Sequence, residues 1–130
     1  YFSASAGLNS IAEDYLKFEQ MLVNGGELFG NRLLSPRTLK MMASDQSSGL
    51  YSGLGRNQDG MGFGYTVAVT EEPISARARR SAGAFGWGGA FGTRSWSDPE
   101  EELTGVILLQ QPHRRTQYDF ENAVQQAIID

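Results

Sequence analysis

The chain has 130 residues, 40% hydrophobic and 20% charged, enough for one ordinary globular domain with a core of its own. Its net charge of −4 gives no electrostatic footprint for nucleic acid, and no apolar run approaches the ~20 residues needed to span a bilayer. The lack of cysteine excludes a disulfide framework, a thiol nucleophile and a thiolate zinc site, and a single histidine leaves little for any other metal, so neither metal nor cofactor is expected.

The opening residues, Tyr1 to Gly7, carry no initiator methionine and no basic or apolar leader region, and read as the start of a piece of something longer. Leu8 to Gly25 follows as the clearest helix. Ser10 with Glu13 has the spacing of a capping box. Ile11, Tyr15, Phe18 and Leu22 fall on one apolar stripe, and Asn24-Gly25-Gly26 supplies a stop. A loop then leads to Leu34, where Ser35 as N-cap and Pro36 at the first helical position open a shorter helix to about Ala43, with Leu39 and Met42 facing inward.

Residues 44–60 are polar and glycine-rich, without hydrophobic period, and read as a loop. Met61 to Thr70 alternates, with Met61, Phe63, Tyr65, Val67 and Val69 on one face and small residues on the other, and reads as one strand. Glu71 to Arg80 reads as a connection whose arginines, Arg77, Arg79 and Arg80, are solvated.

The densest feature is Ser81 to Asp98, where glycines and large aromatics nearly alternate. Glycines cost entropy in a strand unless a backbone or ligand must approach closely, and Phe85, Trp87, Phe91 and Trp96 supply the burial. The segment reads as two strands around a tight Gly88-Gly89 approach with one edge facing a site. Asp98-Pro99 turns the chain. Leu103 to Gln111, with Val106 to Leu109 consecutively apolar, has the pattern of a central strand buried on both faces. Asp119 is placed to cap a last helix carrying Phe120, Val124, Ala127 and Ile128. Helices kept apart from an antiparallel succession of strands mean α+β, an antiparallel sheet with flanking helices. The expected layout is a helical part over 1–45, antiparallel strands over 61–111 and a C-terminal helix over 118–129.

The chain encodes no Gly-x-Ser-x-Gly elbow, no Ser-x-x-Lys pair and no phosphate or dinucleotide loop, so it names no nucleophile. His113 sits in a polar loop and reads as a surface residue rather than a general base. Glu100, Glu101 and Glu102 lie together at a turn, where three carboxylates cannot converge on one substrate. Arg94 could reach a substrate carboxylate, although an exposed strand position is the favoured reading.

Four blocks in order carry a resemblance that covers essentially the whole chain: Gly7 to Tyr15, Met21 to Gly26, Leu34 to Thr38, and Phe85 to Thr93 with Asp98-Pro99. Together they resemble the C-terminal half of the serine β-lactamase-related family, which includes class C β-lactamases, D-alanyl-D-alanine peptidases and family VIII carboxylesterases. The resemblance implies the C-terminal portion of a β-lactamase/transpeptidase-like fold. It also implies three motifs: a Ser-x-x-Lys nucleophile, a Tyr-x-Asn or Tyr-x-Ser motif, and a third on the strand lining the site, Lys-Thr-Gly in lactamases and frequently Trp-Gly-Gly in esterases. Only the third is present, as Trp87-Gly88-Gly89. Tyr1-Phe2-Ser3 spells Tyr-x-Ser but lies too close to the first helix to be the family's tyrosine.

By the same resemblance the backbone N–H of Ala90 is one of two oxyanion-hole donors, the other belonging to the nucleophile, while Trp87, Gly88 and Gly89 line the substrate site. Trp-Gly supplies neither the cation nor the hydroxyl of Lys-Thr, which favours neutral esters over anionic β-lactams. The implied activity is acyl-enzyme hydrolysis of a small-molecule ester or amide. The alternatives are a β-lactamase or D-Ala-D-Ala peptidase, and a non-catalytic binding module that keeps the fold. Alone, the chain is expected to be inactive, to pack against the missing N-terminal half and to self-associate in its absence.

Overall fold

In the computed structural model, which describes residues 7–48, 50–51 and 59–128, the first regular element is helix α1 (Ala12–Val23). The expected capping box does not form. Ile11 is the N-cap, which puts Glu13 at the second helical position instead of the third, and the Ser10 hydroxyl donates to the Ile11 carbonyl instead. The end is as the sequence indicates: Gly26 N–H bonds Met21 O and Gly25 N–H bonds Leu22 O, both glycines being left-handed. This double closure satisfies carbonyls the helix would otherwise orphan.

Residues expected as plain loop then form a small hairpin, β1 (Glu27–Leu28) and β2 (Asn31–Arg32). Helix α2 (Pro36–Met42) starts as expected, with Ser35 Oγ accepting from Thr38 N–H. Met61 to Thr70 is not one strand. The chain folds back through Gly64–Val67, giving β3 (Met61–Phe63) and β4 (Ala68–Thr70) paired antiparallel. Gly64 N–H closes the turn on Val67 O, and Thr66 takes a left-handed φ of 71°, which period-two reading cannot detect. A single helical turn, α3 (Pro73–Ala76), fills the following connection.

β5 (Phe85–Gly88), β6 (Arg94–Asp98) and β7 (Leu103–Ile107) complete one antiparallel sheet in the order β3-β4-β5-β6-β7. β7 therefore borders the sheet and is not central, and Leu108 just beyond it is exposed. Helix α4 (Arg114–Gln126) begins before Asp119. His113 caps it, its Nδ1 accepting from Thr116 N–H, while Asp119 pairs on the surface with Arg115. The architecture is α+β. The Tyr1-Phe2-Ser3 triplet, Gly49, residues 52–58 of the expected loop, and Ile129 lie outside the described residues.

Cross-strand register assigns the two faces. Phe85, Ser97 and Thr104 lie in one row; Gly86, Trp96 and Gly105 lie in the next, so they face the other way. On the first face Phe85 and Val69 join Met21, Leu22 and Leu39 in the core, with Leu28, Leu34, Ala43 and Val67 packed around them. Ser97 Oγ donates to the buried Glu19 carboxylate at 2.7 Å, so α1 turns Glu19, Met21 and Leu22 inward. The expected stripe is only partly covered: Ile11, Tyr15 and Phe18 stay exposed. The helix carries more apolar surface than this sheet covers.

On the second face Trp96 is fully buried against Phe120 of α4, ring centroids 5.6 Å apart. Gly105 makes this possible, since a Cβ there would lie 2.3 Å from the indole. Arg80, expected to be solvated, is buried over the same indole at 5.4 Å, and its Nε donates to Glu121 Oε1 at 2.6 Å. Arg94 Nη2 lies 3.2 Å from Glu121 Oε2, without hydrogen-bond alignment. One carboxylate thus holds two guanidinium groups between sheet and helix.

Removing one partner of a buried ion pair leaves a desolvated charge, so Glu121→Ala should destabilise by about 3–5 kcal/mol. Asp119→Ala, which breaks only the exposed pair with Arg115, should cost at most ~1 kcal/mol. Urea unfolding of the two variants tests the contrast, and equal losses would contradict it.

Candidate active site

The glycine-aromatic segment is the β5–β6 hairpin. Gly89 N–H donates to Thr93 O at 2.8 Å and Gly92 N–H to Gly89 O at 3.1 Å, closing a turn over residues 89–93. Gly92 has φ 98°, and a Cβ there would lie 2.4 Å from Gln111 O. Only glycine fits that backbone. Gln117 of α4 donates to Gly92 O at 2.9 Å, so the last helix also fixes the turn.

The bond between Gly89 and Thr93 sets the phase of the ladder. Phe85 and Trp87 exchange hydrogen bonds with β6, so Gly86 and Gly88 turn their backbone groups toward β4. β4 covers only part of that edge. Its pairing ends at Ala68 opposite Gly86, because the chain there turns back to β3. Gly88 therefore presents its N–H and C=O beyond the end of the β3–β4 hairpin. Ala90 follows in the turn, exposed, and among the described residues its N–H has no protein acceptor.

Trp87, Gly88, Gly89 and Ala90 are all exposed and contiguous. Trp87 keeps 40% of its surface open and meets Phe63 of β3 edge-on, centroids 5.1 Å apart. Among the described residues, no titratable side chain joins them. Arg94 is committed to Glu121 and lies over the Tyr118 ring at 5.3 Å, on α4. His113 is exposed and caps that helix, and Glu100 to Glu102 occupy an exposed turn in which Asp98 accepts from Glu101 N–H. The described residues thus offer backbone donors and an apolar wall, without a nucleophile or base. Sequence reasoning missed Phe63 as a neighbour of Trp87, because reading Met61–Thr70 as one strand hid the turn between β3 and β4.

The Beta-lactamase family profile matches residues 1–128. The chain belongs to the Beta-lactamase family. Among relatives of this family member, Protein Rv1367c of Mycobacterium tuberculosis (strain ATCC 25618 / H37Rv) is 35% identical over 117 residues, 85% of this chain and 29% of that protein. Esterase EstB of Burkholderia gladioli is 35% identical over 110 residues, 84% of this chain and 26% of EstB. The fold matches that of EstCE1, described as a hydrolase with promiscuous acyltransferase activity, at a TM-score of 0.74 and 25% identity, over 88% of this chain and 29% of EstCE1. The chain thus spans under a third of the length of these relatives, and the fold it shares is part of theirs.

Gly92→Ala should cost at least ~1 kcal/mol, from positive φ and contact with Gln111 O together. Gly83→Ala also has positive φ, but nothing lies within 4 Å of its Cβ, so it should cost less. Melting curves for both variants test the difference, and equal melting temperatures would contradict it.

Proposed function

We propose that this chain is the oxyanion-edge portion of a serine hydrolase that cleaves neutral esters through an acyl-enzyme. The observation that carries the reading is the uncovered edge of β5 after Gly86, where Gly88 and the turn residue Ala90 are exposed without side chains in the way. A backbone donor stabilises a tetrahedral oxyanion only if it reaches about 3 Å from that oxygen, and a glycine-lined edge permits such an approach. In this reading the Ala90 N–H is one donor. Trp87, Gly88 and Gly89 form the adjoining wall and floor. The nucleophile comes from polypeptide preceding Tyr1: its serine oxygen bonds the carbonyl carbon, the alcohol leaves with a proton, and water then releases the acid.

Trp87 stands where a lactamase motif has lysine, so no cation there meets a substrate carboxylate. The relative named as an esterase supports an ester substrate over a β-lactam or a peptide.

The same reading accounts for surface that this chain leaves open. Thr104 and Val106 turn their backbone groups away from β6, to the outer edge of the sheet. A groove of ≈ 320 Å³ runs there, lined by Ala12 and Leu16 of α1 and by Phe120 and Val124 of α4. Exposed strand edges and apolar patches favour pairing with other polypeptide. In this reading, N-terminal polypeptide outside this chain covers the groove in the complete protein. In its absence, self-association does.

The isolated chain should therefore hydrolyse no p-nitrophenyl ester above buffer, and turnover that survives repurification would contradict the assignment. In the full-length protein Ala90→Pro deletes the donor and should lower kcat by roughly 10²–10³, while Ala90→Val keeps the N–H and should retain far more activity. Circular dichroism must first show that both variants fold, since proline also perturbs backbone. Equal activity in folded Ala90→Pro and wild type would remove Ala90 from the site. A full-length protein that binds esters without turning them over would identify a binding module.

A further inference from the structure

We propose that Tyr51, Phe63 and Trp87 form one aromatic wall that selects esters bearing a flat, apolar substituent. The inference rests on the ester-hydrolase reading above and names the substrate class of that site.

The three rings are in sequence contact: Tyr51 to Phe63 at 5.0 Å between centroids, and Phe63 to Trp87 at 5.1 Å with the planes at 84°. None belongs to the core around Met21, Leu22, Leu39, Val69 and Phe85. All three retain accessible surface, Trp87 most of all. Trp87 is the residue directly before Gly88, so the row starts at the uncovered edge of β5 and runs outward across β3. A substituent of an ester whose carbonyl lies at that edge meets it first.

The middle ring stands on a clamped backbone. Phe63 N–H donates to Asp45 Oδ1 at 3.0 Å, and Phe63 O accepts from Gln46 N–H at 2.8 Å, so residues 45–46 satisfy the outer edge of β3. Asp45 Oδ1 also accepts from Ser47 N–H at 2.9 Å, fixing the start of the segment that carries Tyr51. On the far side of Phe63, Tyr65 N–H bonds Met42 O at 3.0 Å. Burial raises the Tyr51 phenol above its ordinary pKa of 10.0, so the ring is neutral throughout the range in which esters are assayed. Aromatic side chains with two torsions lose little entropy on holding a ligand, and they prefer edge-on or offset contact with another ring. A row with these properties favours an aryl group over a methyl group.

The test uses the full-length protein and two pairs of substrates. p-Nitrophenyl benzoate against p-nitrophenyl acetate varies the acyl side; phenyl acetate against methyl acetate varies the alcohol side. Phe63→Leu keeps apolar volume and removes the ring. In one of the two pairs it should lower the aryl-to-methyl ratio of kcat/KM by about tenfold, the order expected for one lost aromatic contact. The pair that responds tells which side of the ester the wall holds. If Phe63→Leu does not fold, Tyr51→Leu reads the same ratios. Unchanged ratios in both pairs, in a folded and active variant, would overturn the wall and leave the esterase assignment standing. No ester turnover by the wild-type full-length protein would overturn the assignment and the wall with it.

Discussion

The structure depends on a mismatch in strand length. β5 pairs with β6 along its whole length, yet β4 covers only its first residues, because the chain turns back at Gly64–Val67 to form β3. A sheet normally satisfies both edges of an inner strand. Here, among the described residues, the last part of an inner strand keeps one edge open, and that part is Trp87-Gly88 followed by Gly89 and Ala90. The glycines lose entropy and packing, and what they give in exchange is an unobstructed row of backbone. The same hairpin that stops short also brings Phe63 to the flank of Trp87. The gap and its wall have one cause.

The two faces of the sheet are held by different chemistry, and both hold the hairpin still. On one, α1 and α2 bury an ordinary apolar core against Phe85 and Val69. On the other, Trp96 lies over Gly105, Arg80 lies over Trp96, and Glu121 of α4 binds Arg80. A carboxylate buried with guanidinium groups adds little net stability, but its loss is costly, so it fixes where α4 sits. α4 in turn holds the β5–β6 turn through Gln117 and Gly92. Geometry at the candidate oxyanion edge is thus tied, through one helix, to an ion pair on the far side of the sheet.

Much of this was legible in the sequence, and the failures have physical causes. Ser35-Pro36 and Asn24-Gly25-Gly26 are local signals, set by capping and by left-handed backbone, and they mark the helix boundaries found. The glycine-aromatic segment announced a hairpin with close approach. Arg80 misled because solvation is the ordinary state of an arginine, and its partner Glu121 lies 41 residues away. Val106 to Leu109 read as central because an apolar run signals burial on both faces, whereas the sheet ends at β7 with helices on each side and an apolar groove along its edge. Ile11, Tyr15 and Phe18 are apolar residues that stay exposed among the described residues. The proposed packing of further polypeptide on this chain, which covers under a third of its relatives' length, would account for both features. Four sequence blocks together, one of them holding Trp-Gly-Gly, carried the family resemblance, and only the fold could show which backbone groups around that motif are uncovered.

The most direct measurement is a crystal structure of the full-length protein inactivated by an aryl phosphonate, whose tetrahedral phosphorus carries an oxygen where the reaction's oxyanion forms. The account predicts phosphorus bonded to a serine oxygen from polypeptide preceding Tyr1, with the phosphonyl oxygen about 3 Å from Ala90 N–H. A phosphonyl oxygen directed away from the Gly88–Ala90 edge, or a label on a residue of this chain, would contradict it.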